Sequence, residues 1–155
     1  MDEILNHFHD MYFNVGSIYD EADFERRFRM PRNMFNRIYD SVCGTGIFVQ
    51  RTDATGRRGI HPKMRVISTF RMMGYGMSLD SQDELCQMSA SAAAESLESF
   101  ADAVIDKFGD EYVRLPKDAD LRRILSINEA RGFSGCIGSW DCQHWQWGKC
   151  PIAWA

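Results

Sequence analysis

The residues best suited to chemistry lie near the end of the chain, in the stretch GSWDCQHWQW of residues 138–147. Asp141 follows an apolar run there, and we expect it to end a β-strand over Cys136–Cys142. A carboxylate on a rigid strand suits a metal-dependent phosphoryl-transfer site, because Mg²⁺ prefers oxygen ligands. One carboxylate binds such an ion weakly, and the alternative is that Asp141 is an ordinary surface or turn residue.

A zinc site is a second interpretation of the same segment. Its candidate ligands are Cys136, Cys142, His144 and Cys150, in the spacing C-x5-C-x-H-x5-C. This spacing lacks the close C-x2-C pair of most structural zinc sites. A nucleophilic pair of Cys142 and His144 would also need an orienting third group, and none is evident. Thiols without a metal are the remaining alternative.

A basic block at residues 51–71 is the other candidate, with six Lys or Arg residues and one Asp. The whole chain has a net charge of −4, which argues against a general binder of polyanions. A local concentration of positive charge can still contact DNA phosphates, and Arg57, Arg58, Lys63 and Arg65 are the candidate DNA-binding residues. The alternative is a solvated loop beside a helix.

The elements that must position these side chains are predicted to be mostly helical. Apolar residues recur at helical spacing over residues 2–12, Pro31–Gly44, Pro62–Met73, Ser89–Gly109 and Asp118–Ala130. Ser81 and Glu84 form the S-x-x-E pattern of a capping box and indicate one more, short helix. Residues 44–59 hold four glycines and are expected to form a loop. The predicted fold is mainly α, and the helical pattern gives way to a glycine-rich and then aromatic segment from Gly132.

Two of these helices carry an apolar stripe that is expected to face the core. In the helix from Pro62, the stripe consists of Met64, Ile67, Phe70 and Met73. In the helix that starts near Ser89 or Ser91 and closes at Lys107 and Gly109, it consists of Leu97, Phe100, Ala101, Val104, Ile105 and Phe108.

Residues 62–109 match the order of a helix-turn-helix unit, in which the last helix of DNA-binding examples enters the major groove. The residues off the apolar stripe of that helix are Ser91, Glu95, Ser96, Glu98, Ser99, Asp102 and Asp106. Phosphates repel such carboxylates, so base reading by this helix is not supported. Only its first turn, with Ser89 and Ser91, could contact a phosphate. The alternative is a helical bundle that only packs or pairs.

Composition argues against several other classes of protein. No apolar run approaches the ~18 residues that a membrane span needs, so no membrane partner is expected. The acidic N-terminus MDEILNHFHD is unlike a signal peptide. With five cysteines and no secretory signal, reduced thiols in the cytosol or nucleus are expected.

Five segments, taken in order, resemble the Harbinger (PIF-type) transposase family, in the branch often called plant transposon protein. They are FERRFRMPRNMFNRI, RTDATGRRGIHPKMRVISTFRMMGYG, DSQDELCQMSASAAAESLESF, FGDEYVRLP and RGFSGCIGSWDCQHWQWGKCPIAW. The resemblance covers roughly Phe24 to Trp154. It departs from the family at Ser89-Ala90-Ser91, where a Glu-Ser-Thr type sequence is more usual, and at Cys86, where an aromatic residue is usual.

The resemblance implies a helical domain with a helix-turn-helix region, here residues 1–131, followed by an RNase H-like α/β catalytic domain with a DDE triad. Residues 132–155 would be the start of that second domain. The first catalytic Asp of the family lies in a G-S-[apolar]-D-C-x-H-W motif on the first strand of that domain, which maps onto Asp141. It would therefore be both a catalytic residue and a ligand of Mg²⁺ or Mn²⁺. The second Asp and the Glu lie well downstream in the family, and the fourteen residues after Asp141 contain no match for them.

The family cuts DNA at transposon ends, commonly with a Myb-like accessory protein that aids DNA contact and entry into the nucleus. The chain is therefore expected to be a truncated, catalytically incomplete transposase-derived protein of the nucleus. The alternative is a non-enzymatic helical module that binds DNA or protein.

Overall fold

The computed structural model of the protein describes residues 2–142. Within that range the regular secondary structure is helical, apart from one isolated β-bridge. In chain order the helices are α1 (Asp2–Phe8, continued by a π-helical turn over His9–Phe13), α2 (Glu21–Phe28), α3 (Arg32–Val42), α4 (Pro62–Tyr75), α5 (Gln82–Cys86), α6 (Ala90–Tyr112) and α7 (Asp118–Ala130). The mainly α fold is therefore confirmed. Within residues 2–142, no helix combines the length and the apolar composition that a membrane span requires.

The chain forms two compact units, Met1–Val113 and Arg114–Ala155. The first unit holds α1–α6 and the second holds α7. The domain boundary expected after residue 131 stays a prediction, as does the strand over Cys136–Cys142, since strand pairing needs partners and residues 143–155 lie outside the described range.

Helix starts follow the local signals in the sequence closely. α3 begins directly after Pro31, and Gly44 lies just beyond its end with a φ of +87°. α4 has Pro62 in its first turn, a position where the missing N–H of proline costs nothing. α7 spans Asp118–Ala130, as predicted.

Two helix ends differ from the prediction. α6 continues through Gly109 to Tyr112, because Gly109 keeps a helical conformation and does not terminate the helix. α4 continues to Tyr75 and ends at Gly76, whose φ of +62° lies in the left-handed region that glycine adopts without strain.

Met73 does not belong to the buried side of α4. It is 53% exposed, whereas Met64, Ile67 and Phe70 are buried. Steps of three residues fall behind a helix of 3.6 residues per turn, so nine residues after Met64 the chain faces the opposite side. The neighbouring Met72 is buried instead.

The buried face of α6 is rotated from the predicted stripe but overlaps it, since Phe100 is buried and Val104 packs against the core. Ala93, Ser96 and Phe100 are buried, whereas Ala101 is exposed and Ile105 is 64% exposed. Ser96, which the pattern placed on the outer side, accordingly faces the interior. Apolar residues therefore occur on two adjacent sides of α6, and only one of them packs against the core.

α2 is a helix that sequence periodicity missed, because it has only eight residues, mostly charged. The Asp20 side chain caps it by accepting a hydrogen bond from the Asp23 backbone N–H at 2.9 Å. Its two buried residues, Phe24 and Phe28, are four positions apart and face the core together.

Aromatic side chains dominate the core of the first unit. Phe35 is fully buried, and its ring centroid lies within 5.2–5.7 Å of the rings of Phe13, Phe24, Phe28 and Phe70. Tilted and edge-on arrangements predominate among these pairs, which is the favourable geometry for aromatic rings. Phe70 continues the cluster onto α6 through Phe100, at 5.1 Å.

α4, α5 and α6 pack in the order of a helix-turn-helix unit. The Ser68 hydroxyl of α4 donates to the Gln82 side-chain oxygen of α5 at 2.9 Å, and both groups are buried. The turn into α6 passes through Gln87, whose φ of +51° is left-handed. Ser81 precedes α5 as predicted, but the expected capping box does not form, because its hydroxyl donates to the Ser78 carbonyl at 2.7 Å.

Candidate nucleic-acid interface and the Asp141 segment

Residues 51–59 form a small hairpin, here called the arginine hairpin, closed by an antiparallel bridge between Thr52 and Arg58. The Asp53 carboxylate organises its tip by accepting hydrogen bonds from the Thr55 N–H at 2.8 Å, the Thr55 hydroxyl at 2.6 Å and the Arg57 N–H at 2.9 Å. These bonds, the hydroxyl first, lower the pKa of Asp53. The tip is therefore a defined turn within the predicted loop.

The arginines of this hairpin point their charges towards solvent. Arg57 and Arg58 are exposed, and neither guanidinium group forms an ion pair or side-chain hydrogen bond within residues 2–142. Arg51 is also exposed and makes one long hydrogen bond, 3.4 Å, to the Gly46 carbonyl. Arg51 was not among the predicted DNA-binding residues. The sequence contains a signal for it, because the D-x-T-G turn that follows Arg51 places it opposite Gly59 in the hairpin.

The base of the arginine hairpin lies beside the first turns of α4 and α6. A pocket of about 150 Å³ is lined by Ile47, Arg51, Gly59, Ile60, Arg65 and Glu95, among others. Arg65 belongs to α4 and Glu95 to α6, so the hairpin flanks the helix-turn-helix-like unit at the end where α6 begins.

Lys63 is half-buried. Its ammonium group is 3.9 Å from the centre of the Phe13 ring and 5.6 Å from that of Tyr39. Burial lowers the pKa of Lys63, because the charged form loses hydration there. The contact with the ring faces partly compensates for that loss. The charge predicted to face DNA is thus engaged with α3 and the N-terminal π-helical turn.

Arg65 is engaged within the fold as well. Its side chain is 14% exposed and meets the Glu95 carboxylate at 3.1 Å. The same guanidinium nitrogen donates to the buried Ser96 hydroxyl at 2.9 Å. Arg65 therefore joins α4 to α6, and its charge is already balanced.

Ser89 and Ser91 stand at the start of α6. The Ser89 hydroxyl accepts the Ala92 N–H at 3.3 Å, so Ser89 is the N-cap of the two candidates, Ser89 and Ser91. It also shares a hydrogen bond of 3.1 Å with the Ser91 hydroxyl. Both residues are exposed, but their hydroxyl groups already have partners.

The outer side of α6 carries a row of carboxylates. Glu98, Asp102, Asp106 and Asp110 are all exposed. A duplex approaching this side would bring phosphates against carboxylates, which is unfavourable. The helix that would read bases in a helix-turn-helix protein is thus poorly suited to that task.

Asp141 lies in the second unit, in a segment without regular secondary structure up to residue 142. Asn128 of α7 donates its side-chain amide to the Cys136 carbonyl at 2.8 Å, which holds the start of this segment against the helix. Asp141 itself is exposed and has no hydrogen-bond or ion-pair partner within residues 2–142. The neighbouring Trp140 is 99% exposed.

The zinc interpretation is only partly within the described range. The Cys136 thiol donates to the Gly138 carbonyl at 3.4 Å, and Cys142 is an exposed free thiol. His144 and Cys150 lie outside the described residues. No three His, Cys, Asp or Glu side chains come together as a metal site in residues 2–142.

Two segments of the chain match known families. Residues 110–155 match the family described as Plant transposon protein, and residues 6–43 match one described as Domain of unknown function (DUF8418). No curated protein and no solved structure matches the chain. The first match includes α7 and Asp141, and it supports an origin of this chain among plant transposon-derived proteins.

Proposed function

We propose that this transposase-derived chain contacts DNA through the arginine hairpin. The observation that supports the proposal most directly is the exposure of Arg57 and Arg58, whose guanidinium groups form no ion pair or hydrogen bond within residues 2–142. The Asp53 carboxylate holds the turn that carries them, so the backbone of this turn would lose little conformational entropy when DNA binds. Arginines of this kind gain free energy by releasing counterions from the DNA backbone. The match to plant transposon proteins favours DNA over other polyanions as the ligand.

The proposed contact is to phosphates and not to base edges. The exposed carboxylates of α6 disfavour insertion of that helix into a groove. Lys63 and Arg65, predicted as DNA ligands, act mainly within the fold through Phe13 and Glu95. In this proposal Ser89 and Ser91 are secondary phosphate ligands. The phosphate would bind backbone N–H groups in the first turn of α6, since the first N–H groups of a helix have no intrahelical acceptor.

Replacing Arg57 and Arg58 together with alanine is expected to weaken binding to a fluorescently labelled duplex roughly tenfold or more at low salt. The logarithmic dependence of affinity on salt should also become shallower by about 1.8, because each lost phosphate contact contributes about 0.9 to the slope. Fluorescence anisotropy over a series of salt concentrations measures both quantities.

The matched control is the pair Arg122→Ala and Arg123→Ala, which removes the same charge from exposed positions on α7. This control should retain nearly the full affinity and slope. Equal losses in the two double variants would mean that DNA senses only the overall charge, and the arginine hairpin would then not be the contact site.

We further propose that Asp141 is the first carboxylate of a Harbinger-type DDE triad. Its exposed position leaves its oxygens accessible to a hard divalent ion such as Mg²⁺ or Mn²⁺. Two-metal cleavage of DNA needs several carboxylates around the ions, and the fourteen residues after Asp141 contain neither Asp nor Glu. In this proposal Asp141 would need the second Asp and the Glu that the family places well downstream of the first Asp.

The purified 155-residue chain is expected to leave supercoiled plasmid intact in the presence of Mg²⁺ or Mn²⁺. Agarose electrophoresis of the plasmid after incubation with the purified chain measures this directly. Nicking that Asp141→Asn abolishes would contradict the proposal, and nicking that survives the substitution would indicate a contaminating nuclease.

A second candidate function is a helical protein-interaction module. The acidic outer side of α6 favours it, because that surface is unsuited to DNA but open to other partners. A Myb-like accessory protein and a nuclear location, both implied by the family resemblance, are part of this proposal.

A further inference from the structure

An apolar groove lies open on the first unit, between α3 and the last turns of α6. Its volume is about 340 Å³. Its lining includes Met34, Ile38, Val104, Ile105, Phe108 and Tyr112. Met34 is 49% exposed, Ile105 64% and Tyr112 59%, so much of this apolar surface faces solvent. Surface of this kind is characteristic of binding sites.

The groove exists because α6 is apolar on two adjacent sides. Ala93 and Phe100 face the core, whereas Ala101 and Ile105 face outwards. Consecutive residues of a helix are separated by about 100°, so the outward row runs alongside the buried one. The first unit buries one row and leaves the other uncovered.

A row of carboxylates, here called the acidic ridge, follows the apolar row along α6. Glu98, Asp102 and Asp106 occur at four-residue steps, and all three are exposed. Such spacing places like charges next to each other on one side of a helix. Within residues 2–142, Asp106 meets the Lys107 ammonium at 3.9 Å, and no ion pair is formed by Glu98 or Asp102.

The basic residue on the opposite wall of the groove is already neutralised. The Arg37 guanidinium lies 3.7 Å from the Glu111 carboxylate and donates to the Tyr112 hydroxyl at 3.2 Å. It also lies over the Phe108 ring, at 5.4 Å. The unbalanced charge beside the groove is therefore negative.

We propose that this groove binds an amphipathic helix of a partner protein whose apolar stripe is flanked by Lys or Arg. The apolar side chains of such a helix would fill the groove between Met34 and Ile105, and its basic flank would meet the acidic ridge. A second copy of the chain docking through the same groove would bring two acidic ridges together, which electrostatic repulsion opposes. An anionic membrane is disfavoured for the same reason.

This inference extends the second candidate function and does not depend on DNA binding. No lining residue belongs to the arginine hairpin. An unchanged DNA affinity after substitution of Arg57 and Arg58 would overturn the DNA contact and leave the groove proposal standing. Failure of the groove proposal would leave the DNA contact standing.

The test is a titration of the full chain against a fluorescently labelled synthetic helix of about 18 residues, long enough for helix formation in isolation. It carries leucines at helical spacing and arginines along one flank, and its matched analogue has glutamates in place of the arginines. The basic peptide should bind at least about tenfold more tightly than the acidic one. Ile105→Asn should weaken the basic peptide by about tenfold or more. Asp102→Asn with Asp106→Asn should reduce the preference severalfold.

The control is Val15→Asn, which changes a fully exposed apolar residue outside the groove and should leave peptide binding unchanged. Circular dichroism checks that each variant is folded. Absence of binding, equal affinity for the two peptides, or insensitivity to Ile105→Asn would each overturn the proposal. Self-association in sedimentation experiments that Ile105→Asn abolishes would assign the groove to a second copy instead.

Discussion

Replacing Phe35 with alanine is expected to lower the free energy of unfolding by about 3–5 kcal/mol, the usual cost of truncating a buried phenylalanine. Phe35 has no exposed surface. Its ring touches aromatic rings from the N-terminal π-helical turn, from α2 and from α4. The cavity left by the truncation would adjoin three elements at once, and none of them could close it without moving away from the others.

The loss has an aromatic component beyond buried area. The Phe35 ring is nearly edge-on to Phe24, at 82°, and steeply inclined to Phe28, at 69°. Such pairs contribute about 0.5–1.5 kcal/mol beyond burial. Phe35→Leu keeps most of the volume and loses these pairs, so a smaller loss of about 1–2 kcal/mol is expected from it.

Urea denaturation followed by circular dichroism measures both variants. Phe133→Ala is the control with the same truncation, because Phe133 is 64% exposed and should change stability by less than about 0.5 kcal/mol. A Phe35→Ala loss as small as that of Phe133→Ala would show that the aromatic cluster does not determine the stability of the first unit. If Phe35→Ala does not fold, Phe35→Leu provides the measurement.

Several helix starts followed from local signals in the sequence. Pro62 and Ser89 mark helix starts through their own backbone or side-chain chemistry, which needs no knowledge of the rest of the fold. Gly109 does not end α6, because a glycine favours helix termination by adopting a left-handed conformation and Gly109 stays helical. α2 escaped notice because eight residues contain too little periodicity to detect.

Which side of a helix is buried could be predicted only in part for α4 and for α6. In α6 the predicted Phe100 is buried and Val104 packs against the core, whereas Ala101 and Ile105 are exposed. A helix with one apolar stripe has one possible orientation, but α6 carries apolar residues on two adjacent sides. The choice between Phe100 and Ile105 as the buried residue depends on what the other helices present to α6. That information is spread over α3 and α4, so the periodicity of α6 alone cannot contain it.

The basic block was recognised from sequence, but the role of each charge in it was not. Lys63 and Arg65 contribute to the same count as Arg57 and Arg58. The aromatic ring beneath Lys63 comes from Phe13, and the carboxylate beside Arg65 comes from Glu95, thirty residues later. A charge count cannot distinguish a cation that faces solvent from one that already has a partner.

A second large loss of stability is expected when Gln82, the buried amide of α5, is replaced. Its side-chain oxygen accepts the Ser68 hydroxyl at 2.9 Å, and its side-chain nitrogen donates to the Ser81 hydroxyl at 3.3 Å. Gln82→Leu keeps the volume but leaves Ser68 buried without its acceptor. An orphaned buried group of this kind costs about 1–3 kcal/mol of unfolding free energy.

Ser68→Ala should have a similar cost, because it leaves the Gln82 oxygen without a donor. The double variant removes both polar groups, and an apolar pair of similar shape can be nearly neutral. The loss in the double variant should therefore be smaller than the sum of the single losses by about 1 kcal/mol or more. Urea denaturation of the unsubstituted protein, the two single variants and the double variant measures the four free energies of this double-mutant cycle.

Additivity of the two substitutions within about 0.5 kcal/mol would mean that Ser68 and Gln82 are not coupled, despite their proximity. Coupling of the expected size would show that a polar contact, together with apolar packing, fixes α5 against α4. α5 has only five residues, too few to be stable without tertiary contacts. The angle at which the chain turns into α6 would then depend on this contact, and the start of α6, where Ser89 and Ser91 lie, would be displaced when it is lost.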